Sequence, residues 1–128
     1  MTPRVPLSLL PQTFAVCRLA PSAPFPAWAA AGAWFAMTKT SDELSIVCDQ
    51  AAVPTSVQAE RGWRNLKVQG PLDFALTGVL AALAGPLAAA EISVFAVSTF
   101  DTDYLLVKEA DLARALQTLT DAGHALAP

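Results

Sequence analysis

The chain carries a single histidine, so any general acid–base or nucleophilic chemistry of the usual kind would have to be built around it. His124 follows Gly123 directly, has no adjacent carboxylate to set its tautomer, and has no serine or cysteine within sequence view to activate. It reads as structural or solvated, and no catalytic residue is assigned. Asp101 and Asp103 come next, because two carboxylates at i and i+2 suit a hard cation. No glycine-centred loop follows them, and the related stretch earlier in the chain offers only Asp42-Glu43. The pair reads as the water-facing end of a turn, and no metal site is assigned. Cys17 and Cys48 sit inside apolar runs without CxxC spacing, which predicts buried free thiols.

Gly78 poses a sharper question. It stands within Phe74-Ala75-Leu76-Thr77-Gly78-Val79, at the start of a predicted helix, where glycine costs about 1 kcal/mol against alanine. Two readings compensate for that cost. Either a carboxylate or phosphate approaches the exposed N–H groups of the helix start, or the helix packs tightly on a sheet. Neither GxxxxGK[ST] nor GxGxxG surrounds the glycine, so nucleotide binding is unsupported and no cofactor is assigned. Trp28, Trp34 and Trp63 fall in or beside the first half and read as core. Arg61 and Arg64, flanking Gly62-Trp63, read as a solvated junction.

These residues must be held by elements, and the composition allows one continuous core: 128 residues, 54% hydrophobic and 15% charged. The formal charge is −3 and the eight Lys and Arg are scattered singly, which leaves no basic stripe for nucleic acid. Arg4 precedes an apolar run cut by Pro6 and Pro11, too short for an export signal, so a cytoplasmic location with reduced thiols is expected. The segment from Phe74 to Ala90 is uncharged but bounded by Asp73 and Glu91 and broken by Gly85-Pro86. It falls short of the roughly 20 residues a bilayer requires, so it reads as a buried helix and no membrane is implicated.

The order of elements is set by an internal echo. Phe35-Ala36-Met37-Thr38-Lys39-Thr40-Ser41-Asp42-Glu43-Leu44-Ser45-Ile46-Val47 recurs sixty positions later as Phe95-Ala96-Val97-Ser98-Thr99-Phe100-Asp101-Thr102-Asp103-Tyr104-Leu105-Leu106-Val107. Each copy reads as a β-hairpin with an acidic turn. Around the hairpins, strands are expected at Phe14 to Leu19, Val57 to Trp63, Leu66 to Gln69 and His124 to Ala127. Helices are expected at Phe74 to Ala90 and Ala110 to Ala122, with Gly123 ending the latter in a left-handed conformation. A short apolar segment from Ala27 to Ala31 and a brief turn from Asp49 to Ala52 stand in for helices in the first half. The organisation is then an irregular arm over residues 1–12, a first subdomain over 13–64 and a second over 65–128. Both follow the β-α-β-β-α-β order of an α+β, ferredoxin-like unit. The two tandem units are expected side by side, their second strands, Trp34 to Thr40 and Ile92 to Thr99, pairing edge to edge, with a homodimer as a further level of assembly.

The stretch Gly78-Val79-Leu80-Ala81-Ala82-Leu83-Ala84-Gly85-Pro86-Leu87-Ala88-Ala89-Ala90-Glu91-Ile92-Ser93-Val94-Phe95-Ala96-Val97-Ser98-Thr99 resembles the ACT-domain pattern, a glycine at the first strand-to-helix turn followed by an Ile-Ser-Val second strand. It is most similar to the tandem ACT domains of aspartokinase. Gly70-Pro71-Leu72-Asp73-Phe74 through Thr77-Gly78-Val79-Leu80, with Ser98-Thr99-Phe100-Asp101-Thr102-Asp103-Tyr104, resembles small proteins of two ACT-like repeats related to the arginine-sensing CASTOR proteins. The resemblance covers about residues 10 to 127. It implies a non-catalytic regulatory module, not an enzyme, that binds an amino acid or similar small molecule at an ACT–ACT interface. By position it implicates Asp73, Phe74, Thr77, Gly78, Val79 and Leu80 in the loop and helix start, and Ile92, Ser93, Val94, Phe95, Ser98 and Thr99 on the strand. Phe95 stands where lysine-sensitive aspartokinases place an aspartate that holds a ligand amine. That leaves Asp73 or Asp101 to substitute, a less polar ligand, or a lost site. A module for protein interaction or oligomerisation without a ligand is the alternative reading, and a small ferredoxin-like enzyme a weaker one.

Overall fold

Where apolar residues alternate with polar ones the chain forms strands, and where Pro, Gly and Asp cluster it turns. A computed structural model describes residues 4–70 and 77–127. Asp73, Phe74 and the expected start of the long helix lie outside the described residues. The strands are β1 (Pro6–Leu19), β2 (Ala36–Lys39), β3 (Leu44–Asp49), β4 (Ala59–Val68), β5 (Phe95–Ser98), β6 (Asp103–Lys108) and β7 (Ala125–Leu126). The helices are α1 (Val79–Ala89) and α2 (Leu112–Asp121), with 3-10 turns at Ala27–Ala30, Gln50–Ala52 and Glu109–Asp111. The chain forms two compact units, a smaller one of Gln12–Trp63 and a larger one of Met1–Pro11 with Arg64–Pro128.

In the smaller unit the strand order is β2-β3-β1-β4. β3 is antiparallel to β1 from Phe14↔Asp49 to Leu19↔Leu44, and to β2 from Ala36↔Val47 to Lys39↔Leu44. Its core gathers Ala15, Cys17, Leu44, Ile46 and Cys48 from the strands under Ala29 and Val53. Both helical positions expected here are 3-10 turns. The second is set by Asp49, whose Oδ1 accepts from the Ala51 N–H at 3.0 Å, as its cap role predicts. Trp28 packs against this core, and Trp34 meets Phe14 edge-on at 5.3 Å.

In the larger unit the elements from β4 onward run β-α-β-β-α-β, with strand order β7-β1-β4-β6-β5. The N-terminal part of β1 lies between β7 and β4, so residues 6–12 are strand and not the irregular arm expected. The reason is visible in Val5-Pro6-Leu7-Ser8-Leu9: Val5 and Leu7 are buried and Leu9 packs on the same core, a period-two pattern that the prolines mask. As the first residue of β1, Pro6 gives up only a donor, while its carbonyl accepts from Gln69 N–H at 2.9 Å. The strands expected at Val57 to Trp63 and Leu66 to Gln69 are one element, β4, with Gly62 inside it at φ 80°.

The uncharged sequence of α1 predicts burial nearly all round, but only Ala82, Leu83 and Leu87 are fully covered; Leu80, Ala81, Gly85, Ala88 and Ala89 face outward. With no polar residue to mark it, that asymmetry is invisible in the sequence. α1 also runs three residues past Pro86 before it stops. Its end is a left-handed turn at Glu91 (φ 60°), with Glu91 N–H donating to Ala88 O at 3.0 Å and Ile92 N–H to Leu87 O at 2.9 Å. α2 ends the same way at Gly123 (φ 97°), through His124 N–H to Leu119 O at 3.0 Å, as the glycine predicts.

The edge-to-edge pairing expected of the second strands is not made. β2 pairs β3, β5 pairs β6, and each is terminal in its unit's strand order. The hairpins also correspond one position off the sequence echo: Ala36 takes the place of Phe95, and Thr40 that of Thr99. Both turns are closed alike, by Thr40 N–H to Glu43 O (2.9 Å) and Thr99 N–H to Thr102 O (2.8 Å). One residue decides which face a side chain occupies, so register follows the turn and not the best letter match.

Candidate ligand site

Of the residues expected to bind, Thr77 is exposed, Gly78 is the N-cap of α1, Val79 is half-buried against the core, and Leu80 is 37% exposed. Gly78 is thus not inside the helix, and the cost assigned to it there does not arise. Its φ of 80° is the reason for glycine, and among the described residues a Cβ at this position would have nothing within 4 Å. Tight packing against the described sheet is therefore not its explanation. The Gly78 carbonyl accepts the Ala82 N–H at 2.9 Å, and among the described residues no side chain caps the helix start. The first N–H groups of α1 have no partner within the helix, and they carry its positive dipole end.

The strand residues are split. Ile92, Ser93 and Val94 precede β5, because the left-handed turn at Glu91 leads into them as connecting chain. Ile92 is buried in the core, Val94 packs partly against it, and Ser93 is exposed. Phe95 opens β5, half-buried, opposite Leu106; Ser98 closes it, exposed, opposite Asp103. Thr99 is fixed in the turn, its hydroxyl donating to Thr102 O at 3.0 Å.

A polar cavity of about 250 Å³ opens at this turn, lined by Lys67, Gly70, Thr99, Asp101, Thr102 and Tyr104. Gly70, Thr99, Asp101, Thr102 and Tyr104 all fall in stretches that carry the sequence resemblance, though only Thr99 and Asp101 are singled out for a ligand role; Lys67 is not marked at all. The available signal is the alternation Leu66-Lys67-Val68, which keeps a lysine half-buried between two fully buried neighbours.

His124 is committed elsewhere. Its Nδ1 accepts the Val5 N–H at 3.0 Å and its Nε2 lies 3.0 Å from Ala82 O, both buried. With Nδ1 accepting, the proton belongs on Nε2, which donates to Ala82 O. No nitrogen is left to act as a base. Cys17 and Cys48 are buried free thiols. A hydrogen bond with the Cys17 thiol, burial and the charge of Asp49 all push the Cys48 thiol up from its ordinary value. Among the described residues no group of three or more His, Cys, Asp or Glu side chains is arranged to hold a metal ion, and no helix is long and apolar enough to cross a membrane.

A β-α-β-β-α-β unit with a glycine-capped first helix is a ferredoxin-like arrangement compatible with an ACT-type module. The ACT-domain family model matches residues 58–121, and a separate N-terminal-domain model matches residues 12–56. The chain belongs to the ACT-domain family. It is 38% identical over 96 residues to the cytosolic arginine sensor for mTORC1 subunit 1 of Bos taurus, covering 68% of this chain and 29% of that protein. The chain thus spans less than a third of the length of such relatives. A crystal structure of a protein from Agrobacterium tumefaciens shares its fold at a TM-score of 0.93 and 41% identity, covering 98% of this chain and 94% of the other. The regulatory subunit of aspartate kinase from Thermus thermophilus is similar in fold alone, with a TM-score of 0.60 at 10% identity over 91% of this chain and 97% of that one.

Proposed function

We propose that this chain is a non-catalytic regulatory module that binds a free amino acid, with the start of α1 receiving the ligand carboxylate. The observation that carries the reading is Gly78: a left-handed N-cap which, among the described residues, is open on the side where a Cβ would stand and precedes backbone donors without a side-chain cap. The kinship with an arginine sensor supports an amino acid as the class of ligand and a cytosolic location, and the family supports a signalling role over a catalytic one. Thr77 precedes those donors, Val79 and Leu80 carry the first of them, and Asp73 and Phe74 lead towards them in sequence. The outer edge of β5, uncharged from Phe95 to Ser98, is the surface we assign to a neighbouring ACT unit of a second copy, which would complete the site.

The test is calorimetric titration of the full chain with each of the twenty amino acids. At least one should bind, and at a hundred times its dissociation constant it should stabilise the fold by about 2.7 kcal/mol. At least one binding event should weaken at least tenfold in Gly78→Val while the protein stays folded. If no binding event weakens in that variant, the helix start is removed from the site.

A further inference from the structure

Among the described residues, none of Thr77, Gly78, Val79 or Leu80 lines the cavity at the β5–β6 turn. It holds two opposite charges that do not meet. Lys67 and Asp101 both line it, and among the described residues neither is in an ion pair. Lys67 is anchored by its strand neighbours Leu66 and Val68, both fully buried, which fixes where its stem emerges. Asp101 is carried by a turn that is tied down on three sides. Thr99 Oγ1 donates to Thr102 O at 3.0 Å, Thr102 N–H donates to Thr99 Oγ1 at 3.3 Å, and the buried Thr102 hydroxyl donates to Val68 O at 2.7 Å. Such a turn loses little freedom when a ligand arrives.

We propose that this cavity is a second binding site, for a small zwitterion, in which Lys67 holds a carboxylate and Asp101 holds the ammonium of the same molecule. Tyr104 forms one wall and Gly70 leaves backbone room at the rim. The size fits the class. About 250 Å³ exceeds the roughly 150 Å³ that holds benzene in an engineered cavity, yet it falls below the range of about 300–1,000 Å³ usual for drug-sized ligands. A nucleotide is too large, a free phosphate would meet Asp101, and a metal ion would meet Lys67. A molecule bearing both signs meets neither penalty.

Titration of the full chain with the twenty amino acids, repeated on Gly78→Val, Lys67→Met and Asp101→Asn, separates this site from the helix start. The expected result is a binding event that survives Gly78→Val and weakens at least tenfold in each of the other two variants. For the tightest amino acid, its decarboxylated amine should bind wild type and Lys67→Met equally, and its 2-oxo acid should bind wild type and Asp101→Asn equally. A merely structural role for either residue would not produce that crossed pattern. Binding lost in Gly78→Val but unchanged in both cavity variants would overturn this site and leave the helix start standing. Binding by no amino acid at all would overturn both.

Discussion

His124 supplies the hydrogen bond that Pro86 cannot. Within α1 the residue four positions after Ala82 is Pro86, which has no N–H, and the freed Ala82 carbonyl is met by His124 Nε2 at 3.0 Å. The other ring nitrogen takes the buried Val5 N–H. His124→Ala strands both groups and should cost about 3 kcal/mol by urea denaturation. Part of that cost should disappear in a Pro86→Ala background, where the backbone N–H restored by the substitution serves the same carbonyl. A double-mutant cycle with no coupling would contradict the link.

Asn65 presents the opposite situation. Its side chain is fully buried in β4, and neither Oδ1 nor Nδ2 has a hydrogen-bond partner among the described residues. Replacing such an amide with an apolar residue of similar shape removes an uncompensated desolvation cost. Asn65→Leu should therefore stabilise the protein by about 1–3 kcal/mol, seen as a higher denaturation midpoint. A lower midpoint would show that the amide is satisfied.

The two helices end in the same turn, but one ends it on glycine and the other on glutamate. A left-handed conformation costs an L side chain about 1–2 kcal/mol. Glu91→Gly should raise stability by about 1 kcal/mol, and Gly123→Ala should lower it by a similar amount, since the space there permits only ordinary contact with Arg4. Thermal melts of the two variants should shift in opposite directions.

The cysteine pair offers a chemical readout. Cys17 and Cys48 lie on adjacent strands, where Ala15 faces Cys48 and Cys17 faces Ile46. Only a thiolate attacks an alkylating agent, and Cys48 is held protonated as well as buried. Iodoacetamide at about pH 8 should leave Cys48 unlabelled in the folded protein and label both cysteines in denaturant. Rapid labelling of Cys48 in the native state, read by peptide mass spectrometry, would refute its protected state.

Much of this architecture can be read wherever a single residue type decides the local conformation. Gly123 announces its turn, Asp49 its cap, and the spacing of Leu112, Leu116 and Leu119 announces α2. Legibility fails where two signals conflict. Pro6 and Pro11 hide the alternation of Val5, Leu7 and Leu9, and Gly62 makes one strand look like two. The uncharged run of α1 conceals both its outward face and its start, so Gly78 looks like a flaw in a helix and not its beginning. Ile92 reads as part of a ligand-facing strand because its neighbours spell a family motif, while the turn at Glu91 directs it into the core. His124 gives no hint of its role, because its partners are backbone groups far away in sequence.

β1 pairs with β7 through Pro6↔Ala125 and Leu7↔Leu126, joining strands from opposite ends of the sequence. During synthesis the ribosome releases Val5 and Leu7 long before β7 exists for them to pack beside, and the whole of the smaller unit emerges in between. That unit can close while its own flanking chain is still waiting. The larger unit cannot complete its sheet until residue 126 has left the exit tunnel, so its folding comes second and is governed by a long loop closure. Through that interval β4 already reaches the N-terminal strand, through Gln69 N–H to Pro6 O, but Val5 and Leu7 still lack the part of their core that α2 and β7 supply, and that apolar surface stays uncovered until the last strand arrives.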